Sequence, residues 1–164
     1  MLELIAIIIT VTYVTIACIR AGEIPESLSQ TAYIWEEDCN HKTSHRGYIF
    51  TLYCFTIVSL LFYPWISVTP ESYQFLCFLG CAGLLAVGVT PFFKHEYGYV
   101  HGIGCLISLL SLIIWMCLSH LWIALIIMIA VFIILISIKR SLWVFYGEMI
   151  GLLSLMVILM RVWC

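Results

Sequence analysis

The chain has 164 residues, of which 64 % are hydrophobic and only 10 % are charged, and its formal net charge is −2. Soluble domains are about 45–50 % apolar and about 25 % charged, so one water-soluble core would leave much apolar surface in water. The seven Lys and Arg residues form no basic run, which excludes a nucleic-acid binder. The composition also excludes a disordered chain and a secreted disulfide scaffold. It predicts a polytopic α-helical membrane protein.

Six stretches approach the roughly 20 apolar residues that a membrane-spanning helix needs. They are 2–19, 48–68, 73–93, 100–118, 121–138 and 141–162. Only Ser119 and His120 separate the fourth stretch from the fifth. A single helix covering both would be too long at about 1.5 Å per residue, so we predict a tight helical hairpin, with five spans as the alternative. The fold expected is therefore an all-α, six-transmembrane-helix bundle that forms a single domain over 1–164.

The basic residues are distributed unequally between the two predicted sides of the membrane. One side holds only Arg161, and the other holds six residues: Arg20, Lys42, Arg46, Lys94, Lys139 and Arg140. Because cytoplasmic loops are enriched in Lys and Arg, this asymmetry places the one long loop, 21–47, in the cytoplasm and both termini outside. The first residues contain no basic segment, which argues against a cleaved secretory signal.

Small residues and cysteines within the spans are interpreted as packing elements. Close approach of helices in lipid favours glycine, and we expect helix-packing roles for four of them: Gly80, Gly83, Gly147 and Gly151. Most cysteines lie in or at the ends of the predicted spans, namely Cys18, Cys54, Cys77, Cys81, Cys105 and Cys117. We interpret these cysteines as small membrane hydrophobes.

The long loop begins with a helix signal. Ser27 followed three positions later by Gln30 is a capping-box pattern, and apolar residues then recur at helical spacing. We predict a short cytoplasmic helix over 28–37 that lies flat at the inner leaflet. A surface at 28–38 for a cytoplasmic protein partner is one interpretation of this helix, and a simple interfacial connection is the other.

The same loop continues with residue types that can ligate a divalent metal. The candidate ligands are Asp38, His41 and His45. Lys42 adds a positive charge among them, and the neighbouring Asn40 and Gly47 indicate a loop, where positions four apart need not share a face. We therefore predict no cofactor and keep a divalent metal here as the alternative to a solvated polar loop.

Glu148 is the most unusual residue of the predicted spans. It lies about 10 Å inside the sixth span from its cytoplasmic end, and a carboxylate at membrane depth indicates a functional site. Other polar residues are predicted at similar depth or at the rim, and together they would form a cytoplasm-facing pocket: Tyr13, Thr51, Tyr53, Ser108, Lys94, His95 and His101. Glu148 could carry a proton, bind a cation or fix helix packing as a neutral acid, and the sequence leaves these alternatives open.

Several short stretches resemble a group of uncharacterised small multi-pass membrane proteins of gut bacteria and their phages. They are Ile24-Pro25-x-Ser27-x-Ser29-x-Thr31-x-Tyr33, Phe50-Thr51-Leu52, Gly88-Val89-x-Pro91-x-Phe93-Lys94 and Val100-His101. The resemblance implies a small helical bundle in a bacterial inner membrane, and it implies no activity.

Three functions compete at this point. The first is an oligomeric channel or transporter-like protein for ions or small solutes that uses Glu148. The second is a membrane-embedded, metal-dependent enzyme acting on lipid, with His95 and His101 among its candidates. The third is a non-catalytic anchor or regulator of a cytoplasmic partner. We expect the first, with the bilayer and other copies of the chain as partners.

Overall fold

The computed structural model describes residues 1–34, 48–90 and 98–163, and the described chain is all-α, without strands. Its helices are α1 (Leu2–Ala21), α2 (Thr31–Ile34), α3 (Tyr48–Ser67), α4 (Phe75–Val89), α5 (Gly98–Leu118), α6 (Trp122–Ile138) and α7 (Trp143–Trp163). Short 3-10 turns, Glu71–Tyr73 and Arg140–Leu142, precede α4 and α7. The all-α prediction is confirmed.

In the described part of the chain, five helical segments are long and apolar enough to cross a membrane. They are Leu2–Ala21, Tyr48–Ser67, Glu71–Val89, Tyr99–Leu118 and Arg140–Arg161. The remaining long helix, α6, is equally apolar but has only 17 residues. Large hydrophobic side chains cover the outside of the bundle, and on α6 Ile123 and Ile126 are 77 % and 64 % exposed. The fold is compatible with a multi-pass membrane protein, and the number of crossings stays a prediction.

The tightest helix pair in the described bundle is α4 with α5. A methyl group added to Gly83 would lie 2.6 Å from the Gly104 carbonyl oxygen and 2.8 Å from the Ser108 nitrogen. Because both atoms belong to the backbone, only glycine permits this approach. Gly80 has a similar role toward α3, since its added methyl would lie 2.5 Å from the Trp65 ring.

At one end of the bundle, the buried hydroxyl of Thr69 links α3, α4 and α5. Thr69, just after α3, donates to the Trp65 carbonyl at 2.7 Å and accepts from the indole nitrogen of Trp115 at 2.8 Å. The Cys77 thiol donates to the same hydroxyl at 3.3 Å. Trp65 and Trp115 also meet edge to face, with ring centroids 5.7 Å apart.

The opposite end of the bundle brings the starts of α5 and α7 together. His101, in the first turn of α5, contacts Glu148, in the second turn of α7. Since α5 runs away from this end, α6 carries the chain back to it before α7 begins. The long helices α5, α6 and α7 therefore alternate in direction.

The segment that follows α1, up to and including α2, folds across this end of the bundle. We call residues 22–34 the strap. It starts at Gly22, whose positive φ of 71° ends α1 in a left-handed conformation. The Glu26 carbonyl accepts from the Phe145 amide at 3.1 Å, which ties the strap to the start of α7.

The capping pattern at Ser27 is present, but the interfacial helix is not confirmed. The Ser27 hydroxyl accepts a hydrogen bond from the Gln30 amide at 3.1 Å. The Gln30 side-chain oxygen accepts from the Glu26 amide, whereas in a capping box it would accept from the amide of Ser27. The α-helix described here covers only Thr31–Ile34, and residues 35–47 lie outside the described chain. Leu28 and Ala32 are buried in the core rather than placed on a surface. A partner at 28–38 stays a prediction.

Candidate functional site

Glu148 occupies a polar site where α5, α7 and the strap meet. Its Oε1 lies 3.5 Å from His101 Nε2 and 3.5 Å from Cys105 Sγ, both on α5. The two α5 atoms are 3.6 Å from each other. The sequence placed Glu148 at membrane depth, and the structure adds that its carboxylate faces an imidazole and a thiol.

The three side chains form a nearly equilateral triangle of ligand-type atoms. All of these atoms lie within 4.8 Å of one another, so the group could hold a metal ion. The side chains of His101 and Glu148 are 22 % and 15 % exposed, so the triangle is shielded without being sealed.

The second oxygen of Glu148 is engaged by the strap. Its Oε2 accepts from the Leu28 amide at 2.6 Å, a contact across 120 positions of sequence. This bond turns Oε1 toward His101 and Cys105. The strap also supplies the Ser29 hydroxyl, 3.3 Å from His101 Nε2. His101 Nδ1 is buried and has no hydrogen-bond partner among the residues that the structure describes.

Two tyrosines of the predicted pocket stack on each other, and one of them bonds the strap. The rings of Tyr13 and Tyr53 stack with centroids 4.3 Å apart and planes 7° from parallel. The Tyr13 hydroxyl bonds Thr31 in the strap at 2.6 Å, and the Tyr53 hydroxyl donates to Thr10 at 3.2 Å. Both tyrosines are buried, and the hydrogen bond between Tyr13 and Thr31 connects α1 to the strap.

Two other predicted pocket residues lie between helices. Thr51 donates to the Gly88 carbonyl at 2.6 Å and so joins α3 to α4. Ser108 lies against Gly83 at the contact of α4 and α5. The structure thus joins Glu148 and His101 directly, connects Tyr13 to the strap, and uses Thr51 and Ser108 in helix packing.

Several predicted site residues cannot be placed. Lys94 and His95, expected at the rim, and the candidate metal ligands Asp38, His41 and His45 lie outside the described residues. The metal site in the loop stays a prediction.

The glycines of α7 make no close contact with the residues that the structure describes. A methyl on Gly147 would lie 3.4 Å from the Phe132 ring of α6, and one on Gly151 would lie 3.7 Å from Leu109 of α5. These are ordinary contact distances, in contrast to those at Gly80 and Gly83. Packing roles for Gly147 and Gly151 therefore stay predictions.

Cys105 is the functional candidate that reasoning from the sequence missed. It was grouped with the other cysteines as a small hydrophobe, yet its thiol donates to Glu148 Oε1. A signal was available, because Cys105 follows His101 by four positions and the two therefore share one face of α5. What the spacing alone could not indicate is that this face meets Glu148.

Comparisons of the chain with protein-family models, with curated proteins and with solved structures found no match.

Proposed function

We propose that the protein is a channel or transporter-like integral membrane protein for ions or small solutes, with six crossings and both termini outside the cell membrane. The resemblance noted above favours the inner membrane of a bacterium. Association with other copies of the chain is part of this proposal, and the exposed apolar side chains of α6 are compatible with contact to lipid or to another copy.

The direction of the helices supports six crossings. Contact between His101 and Glu148 requires α5 and α7 to begin at the same end of the bundle. The connection from the end of α5 to the start of α7 must then traverse the bundle, and α6 makes that passage. Its 17 residues extend about 25 Å, at the short end of the range for a spanning helix.

The transport function rests on a single observation, the accessible polar site around Glu148. A carboxylate within a spanning helix is costly unless partners or a pathway use it. Here it faces an imidazole and a thiol near the bundle end that carries Arg20, Lys139 and Arg140 and that the charge asymmetry assigns to the cytoplasm. Of ions and small solutes, an acidic site favours a cation.

Flux through reconstituted protein tests this function. Purified protein in liposomes is exposed in turn to gradients of K⁺, Mg²⁺ and Zn²⁺, and the current is recorded on a solid-supported membrane. We expect a current with at least one of these cations, and Glu148→Gln should abolish it because the substitution removes the charge while keeping the shape. The absence of current for all three cations would overturn the transport function.

Glu23→Gln is the matched control for the flux experiment. Glu23 lies in the strap segment near the same end of the bundle and is exposed, so its substitution removes the same charge without touching the triangle. Its current should equal that of the unmodified protein. Equal currents from Glu148→Gln and the unmodified protein would exclude the site around Glu148 from the pathway.

A metal-dependent enzyme acting on lipid is the second candidate. The observation that favours it is the set of three potential ligands, because catalytic zinc sites keep three protein ligands and an open fourth position. The same liposomes distinguish the two functions. An enzyme would change the composition of the vesicle lipid, measured by mass spectrometry, whereas a channel or transporter would change only the cation content.

A further inference from the structure

We infer that His101, Cys105 and Glu148 form a binding site for a divalent transition-metal ion of the zinc class. The site would use His101 Nε2, Cys105 Sγ and Glu148 Oε1 as three ligands and keep a fourth position open beside Ser29. The role of this ion as the transported cation rests on the proposed function, while its binding can be tested separately.

The spacing of the three atoms matches the ligand shell of zinc. Zinc bonds sulfur at about 2.3 Å, imidazole nitrogen at about 2.05 Å and carboxylate oxygen at about 2.1 Å. At tetrahedral angles these bonds separate sulfur from nitrogen by about 3.6 Å, sulfur from oxygen by about 3.6 Å and nitrogen from oxygen by about 3.4 Å. The structure has 3.6, 3.5 and 3.5 Å for the same three pairs.

The two sulfur distances also suit thiol hydrogen bonds, but direct hydrogen bonding explains the spacing of His101 and Glu148 less well. An N–H donor and an oxygen acceptor are normally about 2.7–3.2 Å apart, and His101 Nε2 lies 3.5 Å from Glu148 Oε1. The imidazole and the carboxylate are therefore close without being in good hydrogen-bond contact. A bound ion would bridge this separation with the side chains where they already lie.

The chemistry of the ligands selects the class of metal. Magnesium and calcium bind oxygen ligands, whereas a thiolate with an imidazole and a carboxylate suits zinc and related divalent ions. The thiolate of Cys105 and the carboxylate of Glu148 would also neutralise the two positive charges of the ion. A neutral complex is the form that costs least to hold within the membrane.

The strap provides support of the kind that metal sites use. Carboxylates that ligate metals are commonly held by a further hydrogen bond that orients them. Glu148 has this arrangement, because the Leu28 amide binds Oε2 at 2.6 Å and leaves Oε1 directed at the other two ligands. The carboxylate is therefore oriented before any metal arrives.

Metal binding to the whole purified protein in detergent tests the inference. The protein is first stripped with a chelator and then titrated with Zn²⁺ by calorimetry and with Co²⁺ by absorbance. We expect one Zn²⁺ per chain and a sulfur-to-cobalt charge-transfer band, which reports a thiolate ligand. Removing even a residue that only supports a metal ligand weakens metal binding about tenfold to a hundredfold. Because Cys105 is a proposed ligand, Cys105→Ser should weaken Zn²⁺ binding by at least this factor.

Cys117→Ser is the control for the cysteine substitution. Cys117 lies near the other end of α5, so the two variants lose the same atom from the same helix at different ends. Cys105→Ser is preferred to a Glu148 variant as the main test, because Glu148 also holds the strap. The helix content of both variants is checked by circular dichroism, and His101→Gln provides a second ligand variant.

The outcomes separate the metal site from the transport function. Failure of the unmodified protein to bind Zn²⁺, equal binding by Cys105→Ser, or cobalt binding without the charge-transfer band would each overturn the metal site. Flux of another cation without Zn²⁺ binding would leave the transport function intact and overturn this inference. Stoichiometric Zn²⁺ binding lost in Cys105→Ser, without any flux, would support the site and overturn the transport function.

Discussion

Replacing Gly83 with alanine should force α4 and α5 apart. The new methyl would lie 2.6 Å from the Gly104 carbonyl oxygen, about 0.8 Å inside the 3.4 Å at which ordinary contact begins. Both opposing atoms, the Gly104 oxygen and the Ser108 nitrogen, belong to the backbone of α5, so no side chain can rotate away. Overpacking of this kind costs about 1–3 kcal/mol.

Gly151→Ala is the control that isolates this steric effect. Its methyl would lie 3.7 Å from the nearest atom, on Leu109, so it fits without movement. Both substitutions gain the same helix propensity, about 1 kcal/mol for alanine over glycine. The propensity cancels in the comparison, and Gly83→Ala should be less stable than Gly151→Ala by about 1–3 kcal/mol.

Unfolding in mixed micelles measures this difference. Each variant in dodecyl maltoside is titrated with sodium dodecyl sulfate, and unfolding is followed by tryptophan fluorescence. Gly83→Ala should unfold at a lower detergent fraction than Gly151→Ala. Equal midpoints would refute the close contact of α4 and α5, and with it the arrangement that places His101 and Cys105 toward α7.

Two further predictions address the far end of the bundle and the number of crossings. Thr69→Val removes the hydrogen-bond acceptor of the buried Trp115 indole and should lower the free energy of unfolding by about 1–3 kcal/mol. The control Ser59→Ala removes an exposed hydroxyl and should have almost no effect. Equal stabilities of the two variants would contradict the role of Thr69. Six crossings require the two ends of α6 to lie on opposite sides of the membrane. In sealed cells, an impermeant maleimide should therefore label the His120→Cys variant more strongly than the unmodified protein. The Ser141→Cys variant should gain label only after the cells are permeabilised. Labelling of both from outside would exclude a crossing by α6.

The amino-acid sequence was sufficient to predict the all-α class and the long apolar helices. Apolar composition and span length depend only on local residues, so the predicted spans fall on the observed helices within a few residues. The small residues of the third span led to the prediction of packing roles for Gly80 and Gly83, and in the structure both lie in close helix contacts. Glu148 was a candidate for a different reason, since a carboxylate at membrane depth stands out in any apolar run.

The strap shows where local patterns were insufficient. The apolar spacing of Leu28 and Ala32 predicted a helix lying at the membrane surface, but these residues pack into the core. An amphipathic pattern specifies that one face is buried without specifying what buries it. Lipid and the end of a helical bundle are alternative apolar surroundings for the same face, and only the tertiary structure distinguishes them.

The candidate site itself depended on tertiary structure. Periodicity places His101 and Cys105 on one face of α5 and locates Glu148 within α7, but it does not say which helix faces meet. The contact of Cys105 with Glu148 spans 43 positions, and that of Leu28 with Glu148 spans 120. In a chain whose helices are apolar all round, the partner of each face is set by detailed packing, and packing is a property of the folded bundle.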